Sequence, residues 1–142
     1  ELSSIPLAVI RRQARPAEVP KVVTECCGLV WTAVKAQQTK AGRHVAIYWN
    51  GDISLDVGVE LEGPFTERDR VVRSATPSGP VATITHFGPY HTLGAAHNAI
   101  KTWCDENGRR AAGPNWEIYG HWEQEWNTNP ALIRTDVFYQ LA

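Results

Sequence analysis

The sequence predicts an α+β chain made of two strand-helix-strand-strand repeats in tandem. A pseudo-twofold axis relates the repeats, and they share one antiparallel sheet with both helices on one face. Three observations predict it. Two segments carry a sustained helical period, each with one strand-like stretch before it and two after it, and the strand behind each helix holds a matching pair, Ile47-Tyr48 and Ile118-Tyr119. At 142 residues the chain has room for a single domain over residues 1–142, with half-repeats of about 5–64 and 80–142.

The elements follow in order. Leu7 to Arg15 reads as a strand, and Pro16-Ala17-Glu18 opens a helix that runs to Lys40-Ala41-Gly42. Its apolar positions Val19, Val23, Cys26, Val30 and Val34 recur at three and four residues, and Pro20 is tolerated only in the first turn. Residues 44–50 are rich in β-branched and aromatic types, Gly51-Asp52 follows, and Ile53 to Leu61 alternates, which is a hairpin pattern. Gly63-Pro64 breaks the chain, Val71-Val72 forms a short strand, and Pro77-Ser78-Gly79-Pro80 breaks it again.

Val81 to Phe87 then alternates as a strand, and Gly88-Pro89-Tyr90 turns. Leu93, Ala96, Ile100, Trp103 and Cys104 form the apolar face of a second helix that stops at Asn107-Gly108, where glycine serves as the C′ residue. Trp116 to Trp122 and Arg134 to Leu141 supply the last two strands.

Charge and composition exclude several functions. Fourteen Lys and Arg oppose fifteen Asp and Glu for a net charge of −1, without a basic block to collect phosphates, so direct nucleic-acid binding is not expected. The stretch from Ser74 to Ile100 lacks Asp, Glu, Lys and Arg, but Pro77, Pro80 and Pro89 interrupt it, so no membrane span is expected. Glu1 to Ile10 has no basic leader pattern, and three cysteines without a CxxC suit reduced thiols, which together predict a cytoplasmic protein. The histidines show no HxxxH or HExxH spacing, and GxSxG, Walker and GxGxxG motifs are absent. No metal and no cofactor is expected.

Side chains alternate along a strand, so Glu117 and Tyr119 share one face, and Trp116, Ile118 and Trp122 the other. The repeat assigns Ala46 and Tyr48 to the corresponding face of the first half. If that face floors a groove between the helices, the groove holds one carboxylate and two tyrosines, a pattern suited to a single cation. Trp31 and Trp103, one on each helix, are candidate groove walls, although tryptophans also serve as core filler and Glu117 could equally be a solvent-facing strand residue.

The run FGPYHTLGAAHNAIKTW from Phe87 to Trp103, Gly113-Pro114, WEIY at Trp116 to Tyr119 and RTDVFYQL from Arg134 to Leu141 resemble the GyrI-like small-molecule-binding domain. This fold also forms the effector-binding domain of AraC- and MerR-type transcription activators. The resemblance is specific over residues 81–141 and looser over 5–62. It implies a ligand groove between the halves, in which a glutamate, here Glu117, pairs with lipophilic, aromatic, cationic ligands. It also matches Tyr48 to an aromatic position of the groove and puts Phe138 where the family commonly has a tyrosine, a change that removes a hydroxyl. Some relatives are hydrolases that open cyclopropane-bearing alkylators, for which Glu117 and Tyr48 would be the reacting groups. The reading that follows is a multidrug-type sensor or sequestering protein that binds apolar, preferably cationic compounds through Glu117, Tyr48, Tyr119, Trp31, Trp103 and Phe138. The alternatives are such a hydrolase and an effector-binding part of a transcription regulator.

Overall fold

Seven extended segments pair into one sheet and two helices cross it, in a computed structural model that describes residues 3–50, 54–68 and 70–142. The first half comprises β1 (Pro6–Gln13), α1 (Val19–Ala36), β2 (Ala41–Asn50) and β3 (Ser54–Leu61). A short edge strand follows, β4 (Val72–Ala75). The second half comprises β5 (Val81–Phe87), α2 (Gly94–Glu106), β6 (Ala111–Tyr119) and β7 (Arg134–Leu141). The order across the sheet is β4-β1-β3-β2-β6-β7-β5, with every pairing antiparallel. Apart from β4 the arrangement is symmetric, and it is the predicted tandem α+β fold.

The halves join where β2 meets β6. Ala46 lies opposite Glu117, His44 opposite Tyr119, and Tyr48 opposite Asn115. Ala46 and Glu117 hold the same place in their repeats, so the pseudo-twofold axis passes between them. Glu117 thereby sits at the centre of the sheet face, midway between the helices.

Which cluster a strand residue joins follows the two-residue period of the strands. Ala8, Ile10, Ala46, Leu55, Val57 and Val59 pack under Cys26, Val30 and Val34 of α1. Ala82, Val137 and Leu141 pack under Ala96, Ile100 and Cys104 of α2. Tyr119 touches both clusters, which puts both helices on one face. The reverse face has its own apolar cluster of Leu7, Val9, Val45, Ile47, Trp116 and Ile118. Beside it Arg43 bridges the seam, with Nε 3.0 Å from Glu60 and Nη1 3.3 Å from Asp136. Gly58 is obligatory between β1 and β2, because a Cβ there would lie 1.7 Å from the carbonyl oxygen of Ala8.

Several boundaries differ from expectation. α1 ends at Ala36 rather than near residues 40–42. Gln38 turns the chain at φ 55°, and the Gln37 amide ties the turn down by donating to the Thr66 carbonyl at 2.7 Å and accepting from the Thr66 N–H at 2.9 Å. Ala41 and Gly42 consequently open β2. β6 spans Ala111–Tyr119 instead of residues 116–122, since Gly120 and a 3₁₀ turn at Gln124–Asn127 carry the chain away, and Trp122 is not on a strand face at all. The expected hairpin turn at Gly51-Asp52 lies outside the described residues. The C-terminus of α2 is as expected: Gly108 has φ 61° and the Arg109 N–H donates to the Cys104 carbonyl at 2.9 Å.

Candidate functional site

Between the two helices, over the centre of the sheet, lies a cleft of about 730 Å³. α1 contributes Val19, Val23, Cys27 and Trp31, and the segment leading into α2 contributes Tyr90 and Leu93. The floor is Tyr48 and His44 from β2 with Glu117 and Tyr119 from β6. Among the described lining residues Glu117 is the only acid, and none is Lys or Arg.

Glu117 is 7% exposed and hydrogen-bonded at both oxygens. Tyr119 donates its hydroxyl to Oε1 at 2.6 Å, and His97 Nε2 lies 2.6 Å from Oε2. The other ring nitrogen, His97 Nδ1, is 2.7 Å from the Tyr139 hydroxyl. With a neutral imidazole, one tautomer gives every proton an acceptor: Tyr139 O–H to Nδ1, Nε2–H to Oε2, and Tyr119 O–H to Oε1. The group then retains one negative charge under apolar and aromatic walls, where water screens it little.

Electrostatics keep the neighbouring groups neutral. Burial, and then the Glu117 charge, push the Tyr119 hydroxyl well above its ordinary value, so it remains a donor. Burial also raises Tyr90 and pushes the Cys27 thiol up to about 11. His44 is lowered, chiefly by burial; its Nδ1 is buried without a partner, and its ring lies 5.8 Å from that of Trp31. Tyr90 stands edge-on to Tyr119 at 5.5 Å. Among the described residues no three of His, Cys, Asp and Glu gather to hold a metal ion. No helix among them is long and apolar enough to cross a membrane.

Glu117, Tyr48, Tyr119 and Trp31 all come together in this cleft. Two other candidates do not. Trp103 lies on the outer side of α2, 43% exposed, because the buried stripe of that helix runs through Ala96, Ile100 and Cys104. Phe138 is on the reverse face, stacked on Trp116 at 5.3 Å. Register explains the second case: Glu117 pairs with Val137, so Tyr139, and not Phe138, shares its face. The last strand therefore does bring a hydroxyl to the site. Sequence reasoning missed His97, Tyr139 and His44. His97 could have been found, since it lies four residues after Leu93 and three before Ile100 in the apolar stripe, where a lone polar side chain needs a partner.

Comparison with known proteins agrees with this architecture. The GyrI-like small molecule binding domain matches residues 1–142. No curated protein sequence matches the chain. The crystal structure of the EcmrR C-terminal domain is similar, with a TM-score of 0.80, 14% identity, and coverage of 99% of this chain and 93% of that one. The chain spans 55% of the EcmrR chain seen in a cryo-EM complex with DNA. The structure of SAV2435 bound to tetraphenylphosphonium has a TM-score of 0.70 at 11% identity, covering 99% and 90% of the two chains. A hydrolase encoded by lin2189 from Listeria innocua has a TM-score of 0.63 at 12% identity, covering 98% and 88%. Identities this low show a shared fold.

Proposed function

This chain belongs to the GyrI-like small-molecule-binding family, and on that basis we propose that it binds apolar, aromatic, positively charged compounds in the cleft between its helices. One observation carries the reading: a single carboxylate, 7% exposed, on the floor of a cleft whose described lining includes no Lys or Arg to neutralise it. A lipophilic cation loses little hydration on entry. It gains the Glu117 charge and the rings of Tyr48 and Tyr90, each worth up to about 2 kcal/mol when desolvated, while Lys35 Nζ already lies over the Trp31 ring at 4.6 Å. The similar fold of SAV2435, which is bound to tetraphenylphosphonium, supports this choice of ligand class. The protein would act as a multidrug-type sensor or sequestering protein. Calorimetric titration with tetraphenylphosphonium and with neutral triphenylphosphine oxide tests the reading. Saturable binding that favours the cation is expected, and absence of saturable binding, or equal affinity for both, would overturn it.

A second reading rests on the His97 to Glu117 contact at 2.6 Å. An imidazole on a carboxylate can hold and move a proton, as a hydrolase opening a cyclopropane-bearing alkylator requires. Incubation with such a compound, followed by mass spectrometry, distinguishes the two. Ring-opened product formed over many turnovers, and lost in both Glu117→Gln and Tyr48→Phe, would establish hydrolysis; a stoichiometric complex without product supports binding.

A further inference from the structure

We propose that the cleft selects cations without N–H donors, such as quaternary ammonium and phosphonium compounds, over protonated amines of the same aromatic skeleton, and that His97 and Tyr119 impose this choice by occupying both oxygens of Glu117. The inference rests on the cation-binding reading above and narrows its ligand class.

Three observations support it. Each carboxylate oxygen already accepts a bond of 2.6 Å, one from Tyr119 and one from His97. The donors are themselves fixed: Tyr139 holds His97 from its far nitrogen at 2.7 Å, and Tyr119 is packed between the clusters under both helices. Glu117 is 7% exposed, which leaves little of the carboxylate for a third donor. His44 Nδ1 offers no substitute, because it is buried beside the Trp31 ring.

An ammonium group entering this cleft gives up strong hydrogen bonds to water, and its protons must compete with His97 and Tyr119 for the lone pairs of a carboxylate that is 7% exposed. A quaternary cation has no such protons to satisfy. It needs only negative potential and aromatic faces, and Glu117 keeps its charge whichever donors hold its oxygens. The hydrogen bonds that orient the carboxylate therefore also restrict which cations reach it.

The test is a titration of the full chain with pyrenylmethyl-trimethylammonium and with pyrenylmethylammonium, two cations of one skeleton that differ in bearing three methyl groups or three N–H donors. Wild type should prefer the quaternary cation by at least about tenfold. The preference should shrink several-fold in His97→Phe, which frees Oε2, and in Tyr119→Phe, which frees Oε1 independently and serves if the first variant does not fold. Equal affinity in wild type, or a preference unchanged in the variants and so due to methyl burial alone, would overturn the inference while leaving cation binding intact. If neither cation binds, the cation-binding reading itself fails, and the inference with it.

Discussion

Replacing Glu117 with glutamine removes one charge from the centre of the cleft and nearly nothing else. The side chains are isosteric, and the hydrogen bonds can survive. In Glu117→Gln the side-chain oxygen still accepts from Tyr119, while the new amide group donates to His97 Nε2. The imidazole then adopts the other tautomer and donates Nδ1–H to the Tyr139 oxygen, across the contacts of 2.6 and 2.7 Å seen for Glu117 and His97. Stability should therefore change by less than about 1 kcal/mol. Affinity should change far more. A cation centred about 6 Å from the carboxylate gains about 2.8 kcal/mol at an effective dielectric constant of about 20. Part of this is offset by lost hydration, so the expected loss is about 1.5–2.5 kcal/mol, or about 10- to 70-fold in Kd. Neutral triphenylphosphine oxide should bind wild type and variant within about twofold of each other. Calorimetry with tetraphenylphosphonium gives the affinities, and urea denaturation gives the stabilities. Equal cation affinity in two equally folded proteins would refute the assignment of Glu117 as the source of charge selectivity.

Other consequences are open to direct measurement. With its thiol pushed up to about 11, Cys27 should alkylate at pH 8 at least about a hundredfold more slowly than free cysteine, as followed by intact mass, and a rate equal to that of glutathione would contradict the burial argument. Gly58→Ala puts a methyl group 1.7 Å from the Ala8 carbonyl, so it should cost more than about 3 kcal/mol or prevent folding; a near-neutral urea midpoint would show that β1 and β3 can separate cheaply. Burial lowers the folded-state pKa of His44, so as pH falls below about 6.5 the unfolded chain takes up the proton first and stability declines. Between pH 7 and 5, His44→Phe should lose less stability than wild type, and parallel profiles would exclude His44 as a contributor.

The fold class and the repeat were legible in the order of amino acids, whereas spacing alone left Glu117 between the groove and solvent, and the family resemblance singled it out. Periods of two and of three to four residues report which side chains must leave water, and a repeat written twice in that code specifies a twofold arrangement. Alternation along a strand is local, so it also put Glu117 and Tyr119 on one face, and the repeat assigned Tyr48 to the matching face of the first half. Pairing between strands is not local. Whether Phe138 or Tyr139 faces the helices depends on β7 pairing Val137 with Glu117, and a shift of one residue would exchange them. The same holds for Trp103, whose place on α2 is apolar in composition but turns outward once Ala96, Ile100 and Cys104 meet the sheet. His97 and Tyr139 are 42 residues apart in the chain, and His97 and Glu117 are 20 apart. Only the docking of α2 on β5 and β7 joins them, because a buried carboxylate and a half-buried imidazole each need a partner and find it across the fold.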